Sequence, residues 1–316
     1  MNNLRSRLAA TPYLAWMIIF MVVPLALIVV FAFTTTVPCD AEGNILTDEE
    51  AYLIQEEETL IWEEQGTPEE ERVSAVSEKT IFTVQNILEV NKYMPTMLSS
   101  IWMALVATVI CLLIGYPLAY MISRMHFVSQ KMMLMLVMLP MWMNFLLRTY
   151  AWMTLLERNG LINRFLGLFG VGPFNMINTQ GAVILGMIYN YLPFMILPLY
   201  SVMTKIENTT IEAAQDLGAN RLTVMWRVVV PLSVPGINSG ITAVFIPSVS
   251  TFIISRMLGG GTNMLIGDLI DLQFLGNAYN PNLGSAISLV LMVFILLCMS
   301  ITNAFDMEDK EGGMLL

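Results

Sequence analysis

Apolar and polar residues follow one another along this chain in long blocks. Pro12–Phe33 holds 22 residues without a charge, enough to cross a hydrocarbon core of about 30 Å as a helix. A signal peptide has a shorter apolar core followed by a small-residue cleavage site, so this run reads as a retained first span. Further apolar blocks lie at Met97–Ile122, Met132–Leu156, Gly181–Met203, Ile237–Met257 and Ser285–Ala304. Six membrane-spanning helices in an all-α integral membrane protein are therefore expected. Residues 157–179, with Arg158, Arg164 and several glycines, read as an interfacial segment, and Leu258–Gly284 as a Gly-rich loop carrying Asp268 and Asp271.

One stretch of the second half departs from this greasy pattern, Ile211–Gly240 (IEAAQDLGANRLTVMWRVVVPLSVPGINSG). Thr209 and Glu212, three apart, predict a capping box and a helix start. Ala213, Ala214 and Leu217 continue that helix for about two turns, and Gly218 stands where a left-handed C-cap is wanted. Asn220 can cap a second helix, with Leu222, Met225 and Val229 at helical spacing until Pro231 stops it. The two alanines leave the first helix bare enough for another protein surface to approach its backbone.

Composition agrees with a membrane protein: 56% of the 316 residues are hydrophobic and 13% charged, with a mean hydropathy of +0.67. The 26 methionines are apolar filler and give no reason to expect a metal. The net charge of −10 is local, since 15 of the 25 acidic residues fall between Asp40 and Glu89. There Thr47-Asp48-Glu49-Glu50 reads as a helix start, Tyr52, Leu53, Leu60, Ile61 and Trp62 as that helix's apolar side, and Gly66-Thr67-Pro68 as its end. The segment is either a solvated, partly helical loop or an electrostatic funnel that concentrates a cation.

Basic residues set the orientation. With both termini inside, Arg5, Arg7, Arg124, Lys131, Lys205, Arg221, Arg227 and Lys310 are cytoplasmic, against Arg158, Arg164 and Arg256 outside. Cys111 and Cys298 fall in spans and Cys39 outside, so no disulfide is expected.

No catalytic constellation, metal site or cofactor site is read from the chain. His126, the single histidine, lies beside a membrane boundary, and Gly259-Gly260-Gly261-Thr262 lacks the spacing and lysine of a phosphate-binding loop. Pro140, Asn144 and Arg148, four apart, share one face if Met132–Leu156 is helical. An arginine at membrane depth costs about 2.5–3.5 kcal/mol, so Arg148 either snorkels to the headgroups or, with Asn144, shapes a pathway or gate. Tyr116, Tyr120, Tyr189, Asn190 and Tyr191 are the other polar or aromatic residues at that depth, where helix packing and substrate contact are both open. Asp268 and Asp271 could meet a cation or a partner, or cap a helix.

The EAA triplet Glu212-Ala213-Ala214, then Gly218, an apolar run, Pro231 and Pro235-Gly236, resemble the cytoplasmic EAA loop of ABC importer permeases. Residues 81–156 and 180–300 further resemble the B-type membrane subunit of spermidine/putrescine ABC importers. IGYPLA at Ile114–Ala119, Leu139–Trp152, YLPFMILPLYS at Tyr191–Ser201 and LIGDLIDLQFL at Leu265–Leu275 carry this likeness. The resemblance implies a type I importer permease in the cytoplasmic membrane of a prokaryote. It also implies a second permease (distinct or a copy), ABC ATPase subunits, an extracytoplasmic substrate-binding protein, a polyamine substrate, and no nucleic acid. Glu212, Ala213, Ala214, Asp216, Gly218 and Arg221 would make up the ATPase-coupling surface. The expected organisation is a tail and first span in 1–36, an acidic extracytoplasmic insertion in 37–95, of which 38–79 departs from the family pattern, a permease core in 96–306 with the coupling loop at 205–238, and a cytoplasmic tail in 307–316. The same architecture importing another small solute, and an ATP-independent channel or scaffold, are the alternatives.

Overall fold

The computed structural model describes residues 16–40, 42, 44–65, 74, 76–276 and 279–312. Arg5, Arg7 and the break expected at Gly66-Thr67-Pro68 lie outside the described residues. The chain forms two compact units, one of residues 1–92 with 273–292 and one of residues 93–272 with 293–316.

In the first unit, helix α1 (Ile18–Ala32) opens with a π-helical turn over Ile18–Val22. Strand β1 (Thr34–Cys39) follows and pairs antiparallel with β2 (Ser77–Phe82), from Thr34 opposite Phe82 to Cys39 opposite Ser77. This sheet was not expected from the sequence, although the β-branched run Thr34-Thr35-Thr36-Val37 favours a strand. Pro38 is tolerated because each strand of a two-stranded sheet is an edge. Asn86 fastens the entry to the sheet, its Nδ2 donating to Thr34 O at 2.8 Å. Between the strands lies α2 (Asp48–Gln65). Its start is the expected one: Thr47 N–H donates to Glu50 Oε2 at 2.9 Å, and Glu50 N–H to Thr47 Oγ1 at 3.3 Å. Its apolar side does not form a core, for Tyr52, Leu53, Leu60 and Ile61 are exposed and Ala51 is buried. Cys39 is buried at the end of β1, and all three cysteines are free.

The second unit holds α3 (Met94–Ser123), α4 (Phe127–Trp142), α5 (Phe145–Leu156), α6 (Leu161–Gly167), α7 (Gln180–Met203), α8 (Asn208–Asp216), α9 (Arg221–Ser250) and α10 (Ile253–Gly259). Helices α11 (Ile266–Leu275) and α12 (Pro281–Gly312) each belong partly to both units. α3 explains the packing best. Ala104, Ala107, Cys111, Gly115 and Ala119 recur every three or four residues and are buried. Trp102, Leu105, Val109 and Leu113 recur in the same way on another face and are exposed. A helix apolar on both faces, with its small residues buried and its large ones bare, suits a bundle in lipid. The buried stripe meets α7 and α9. Met195 of α7 is wedged there between two glycines: a Cβ on Gly115 would lie 3.0 Å from Met195 Cγ, and one on Gly240 2.7 Å from its Sδ.

Among the described residues, four helices are long and apolar enough to cross a membrane: Gln85–Ser123, Gln180–Met203, Arg221–Ser250 and Pro281–Thr302. Counting the bent pair Phe127–Trp142 and Phe145–Gly167 as one span gives five, and the shorter apolar helix α1 lies where the first of the six expected spans was placed.

Two of the expected spans differ. Met132–Leu156 is broken, with an 88° bend between the members of that pair. Met143 is extended (ψ 148°), and the Asn144 side chain accepts from the N–H groups of Leu146 and Leu147, so a new helix starts there. Pro140, Asn144 and Arg148 therefore do not share a helix face. The fifth span begins earlier and ends earlier than Ile237–Met257. Pro231 does not stop it, because a π-turn over Met225–Val229 precedes the proline. Val230 N–H reaches back five residues to Met225 O, and this wider turn absorbs the carbonyl that a proline ring would crowd. The helix ends at Ser250 because Thr251 is extended (ψ 142°), and α10 then starts at Ile253.

Candidate functional site

α8 sits in the connection between the long helices α7 and α9. Glu207, extended at φ −63° and ψ 142°, is its N-cap, and the helix starts at Asn208. The capping box expected from Thr209 and Glu212 is not made. Helix entry comes two residues too early for it, and the Thr209 hydroxyl donates to Glu207 Oε2 at 3.0 Å. The other end follows the expectation. Gly218 has φ +86°. Ala219 N–H donates to Ala214 O at 3.1 Å and Gly218 N–H to Gln215 O at 2.8 Å, the paired bonds of a Schellman ending. Ala219 and Ala214 also lie in one apolar cluster, the contact that accompanies this motif. Asn220 then caps α9 by accepting from Thr223 N–H at 2.8 Å.

These caps fix which residues face outward. Ile211 and Ala214 pack on a small core of Ile206, Val224 and Val229. Glu212, Ala213, Gln215 and Asp216 are exposed, as is Arg221 at the start of α9. Only one of the two alanines is therefore bare. Leu222, expected on the buried face of the second helix, is 72% exposed, and with Leu217 (90%) and Trp226 (71%) leaves three large apolar side chains uncovered beside α8. The signal in the sequence was Val224 and Val228-Val229, whose spacing marks the inward face and leaves Leu222 and Trp226 outside it.

The residues proposed for a pathway separate by role. Tyr116 on α3 shares a 3.0 Å hydrogen bond with Ser233 Oγ on α9. Tyr189 on α7 meets Trp152 of α5 edge to face, centroids 5.4 Å apart. The Tyr191 hydroxyl donates to Pro247 O at 3.4 Å. These three tyrosines tie helices together. Tyr120 packs at the other end of α3, against the small core beneath α8. Asn144 is the helix cap already described. Asn190 and Arg148 are different: Asn190 Nδ2 donates to Gly186 O at 2.8 Å, but its Oδ1 is buried without a hydrogen-bond partner, as are Nε and Nη1 of Arg148. Arg148 is 8% exposed, its guanidinium 5.7 Å from the Phe145 ring, so it is buried rather than reaching solvent.

Asp268 and Asp271 converge on Arg256. Asp271 Oδ2 accepts from Arg256 Nη2 in a short ion pair, and Asp268 Oδ1 lies 3.8 Å from Arg256 Nε, an ion-pair distance and not a hydrogen bond. Asp268 also accepts from Leu265 N–H at 3.0 Å, closing the start of α11. Burial pushes its carboxyl above the ordinary range, against the bonds to Ser255 and Leu265 that lower it. Ser255, Arg256, Met264 and Asp268 help line a cavity of about 220 Å³.

The described residues contain no group of three or more His, Cys, Asp and Glu able to hold a metal. The fold has counterparts among known structures. A chain of a bacterial ABC transporter involved in the import of the acidic polysaccharide alginate matches with a TM-score of 0.64 over 96% of each chain, at 16% identity. A chain of the MetNI methionine ABC transporter, in an inward-facing conformation, matches with a TM-score of 0.50 over 68% of this chain and 95% of that one, again at 16% identity. The fold is that of an ABC importer permease. In sequence, this chain is 41% identical to the spermidine/putrescine transport system permease protein PotB of Haemophilus influenzae over 221 residues, covering 68% of this chain and 76% of that protein. It is 38% identical to PotB of Escherichia coli K12 over 232 residues, 72% of this chain and 84% of that protein. No model of a known protein family matches the chain. The chain belongs to the family of these PotB permeases.

Proposed function

We propose that the chain is the B-type permease subunit of an ATP-driven importer of spermidine and putrescine. It forms half of the translocation channel with a second permease, receives substrate from an extracytoplasmic binding protein, and couples through α8 to a separate ATPase. The observation that carries this reading is the exposed face Glu212, Ala213 and Asp216 of α8, held by the Gly218 ending, in a chain 38% identical to Escherichia coli PotB. The same reading makes 96–306 the permease core, places both termini in the cytoplasm and assigns chemistry to the ATPase alone. Asn190 and Arg148 are the pathway or gate candidates that helix packing leaves unsatisfied. Uptake of labelled spermidine and putrescine into proteoliposomes holding the whole importer tests it. ATP-dependent uptake of both is expected. Uptake of only another small solute would change the cargo, and uptake without ATPase subunits would overturn the class.

A further inference from the structure

The chain itself joins α8 to α7. A charged side chain ties it by hydrogen bonds to the end of α3. Arg124 immediately follows α3, and its Nη1 donates to Ile206 O at 3.0 Å and to Asn208 Oδ1 at 2.7 Å. Its Nη2 donates to Met203 O at 3.3 Å. Met203 is the last residue of α7 and Asn208 the first of α8. Carbonyls at a helix C-terminus lack intrahelical donors and lie at the negative end of the dipole, so a cation from a neighbouring helix is their natural partner. A guanidinium reaches several acceptors from one stem because its donors form a rigid planar fork, which an ammonium does not have. Tyr120 supports the group, its ring centroid 5.5 Å from the guanidinium carbon. Gln130 on α4 makes a second tie across the same corner, donating to Ser123 O at 3.0 Å and accepting from the Tyr200 hydroxyl at 3.3 Å.

We propose that Arg124 is the positioning residue that delivers movement of α8 to α3 and α7 together. The inference rests on α8 being the ATPase-docking helix. When α8 shifts, Asn208 and Ile206 move with it, and the fork carries the end of α3 along. Without the fork, α8 can shift while α3 stays behind, and ATP is hydrolysed without transport.

The readout is ATP hydrolysed per spermidine transported, in proteoliposomes holding the whole importer. Arg124→Lys keeps the charge and loses the fork. It is expected to retain the ATPase subunits and their hydrolysis but to raise the ratio roughly fivefold or more, the lower end of ordinary coupling effects. Asn208→Asp keeps the acceptor and should hold the parent ratio. Asn208→Ala removes one arm and should raise the ratio by less than Arg124→Lys, and it decides the matter if Arg124→Lys does not assemble. A parent-like ratio in Arg124→Lys, or in Asn208→Ala where that variant decides, overturns the inference, whatever happens to thermal stability. Gly218→Val separates the two levels. If it keeps the ATPase bound and transporting, the docking reading of α8 falls. If it loses the ATPase while Arg124→Lys keeps the ratio, only the role of Arg124 falls.

Discussion

Gly218 holds a backbone conformation that costs a residue with a side chain about 1–2 kcal/mol, and a β-branched one more. The space around it is open, for beyond its own chain neighbours nothing described lies within 4 Å of a Cβ built there. Backbone strain and steric crowding can thus be told apart at this position. Gly218→Asn, which tolerates positive φ, should keep ATPase co-purification and transport, whereas Gly218→Val should lose both while the protein still inserts. Equal loss in the two variants would point to the surface of α8 in place of its ending. This glycine was legible from the sequence because spacing alone places a C-cap. The start of the same helix was not, since Thr209 and Glu212 have the spacing of a capping box while the helix begins at Asn208, after a Glu207 that makes no side-chain cap bond. Arg148 was legible as an anomaly, but its burial depends on a bend that its own neighbours do not announce.

The elements that departed from expectation did so at breaks and joints. Periodicity reports apolar length, which gave the long helices α3, α7 and α12, but it does not report whether a helix runs through a proline. Pro231 is absorbed by a π-turn, while the stretch holding Pro140 breaks three residues later, where an asparagine is ready to cap a new helix. The β1–β2 pair was hidden because its strands are separated by the whole acidic segment. That pairing now gives a clean way to remove the segment. Cys39 opposite Ser77 closes the ladder, so residues 40–76 can be replaced by Asn-Gly, the two-residue loop that suits such a hairpin. If the acidic residues concentrate a polycation, the replacement should weaken uptake at low substrate and low salt and leave the maximum rate, because screening shortens from about 30 Å at 0.01 M to about 8 Å at physiological ionic strength. A lower maximum rate at both salts would instead assign the segment to seating the binding protein. Within it, Thr47 holds the Glu50 carboxyl below its ordinary value of 4.5. A depressed carboxylate stabilises its folded state above the unfolded value and loses that contribution as pH falls through the folded one. Protection of the amides at the start of α2, measured against the intrinsic exchange rate at each pH, should therefore fall as pH drops below 4.5, and Glu50→Gln should remove that loss of protection.

At the scale of the whole molecule, the proposed orientation puts the acidic segment outside and α8 inside. In a variant with Cys39 replaced, an impermeant thiol reagent applied to intact cells should label a cysteine at Ser74 and miss one at Gln215, both exposed positions. The opposite pattern would invert the topology. Ser123, near the same boundary as α8, is buried and would report poorly. The crossing of α3, α7 and α9 at Met195 bears on any movement between the two faces. Two glycines bring the α3 and α9 backbones onto one buried thioether, so the three helices cross in close contact there. Met195 lies eight residues from the α8 end of α7 and fifteen from the other end, about 12 Å and about 22 Å at the helical rise. A straight rod turning there would be an unequal lever, its long arm moving nearly twice as far as its short one, but Pro193 and Pro198 flank Met195 within α7 and mark where that rod bends instead.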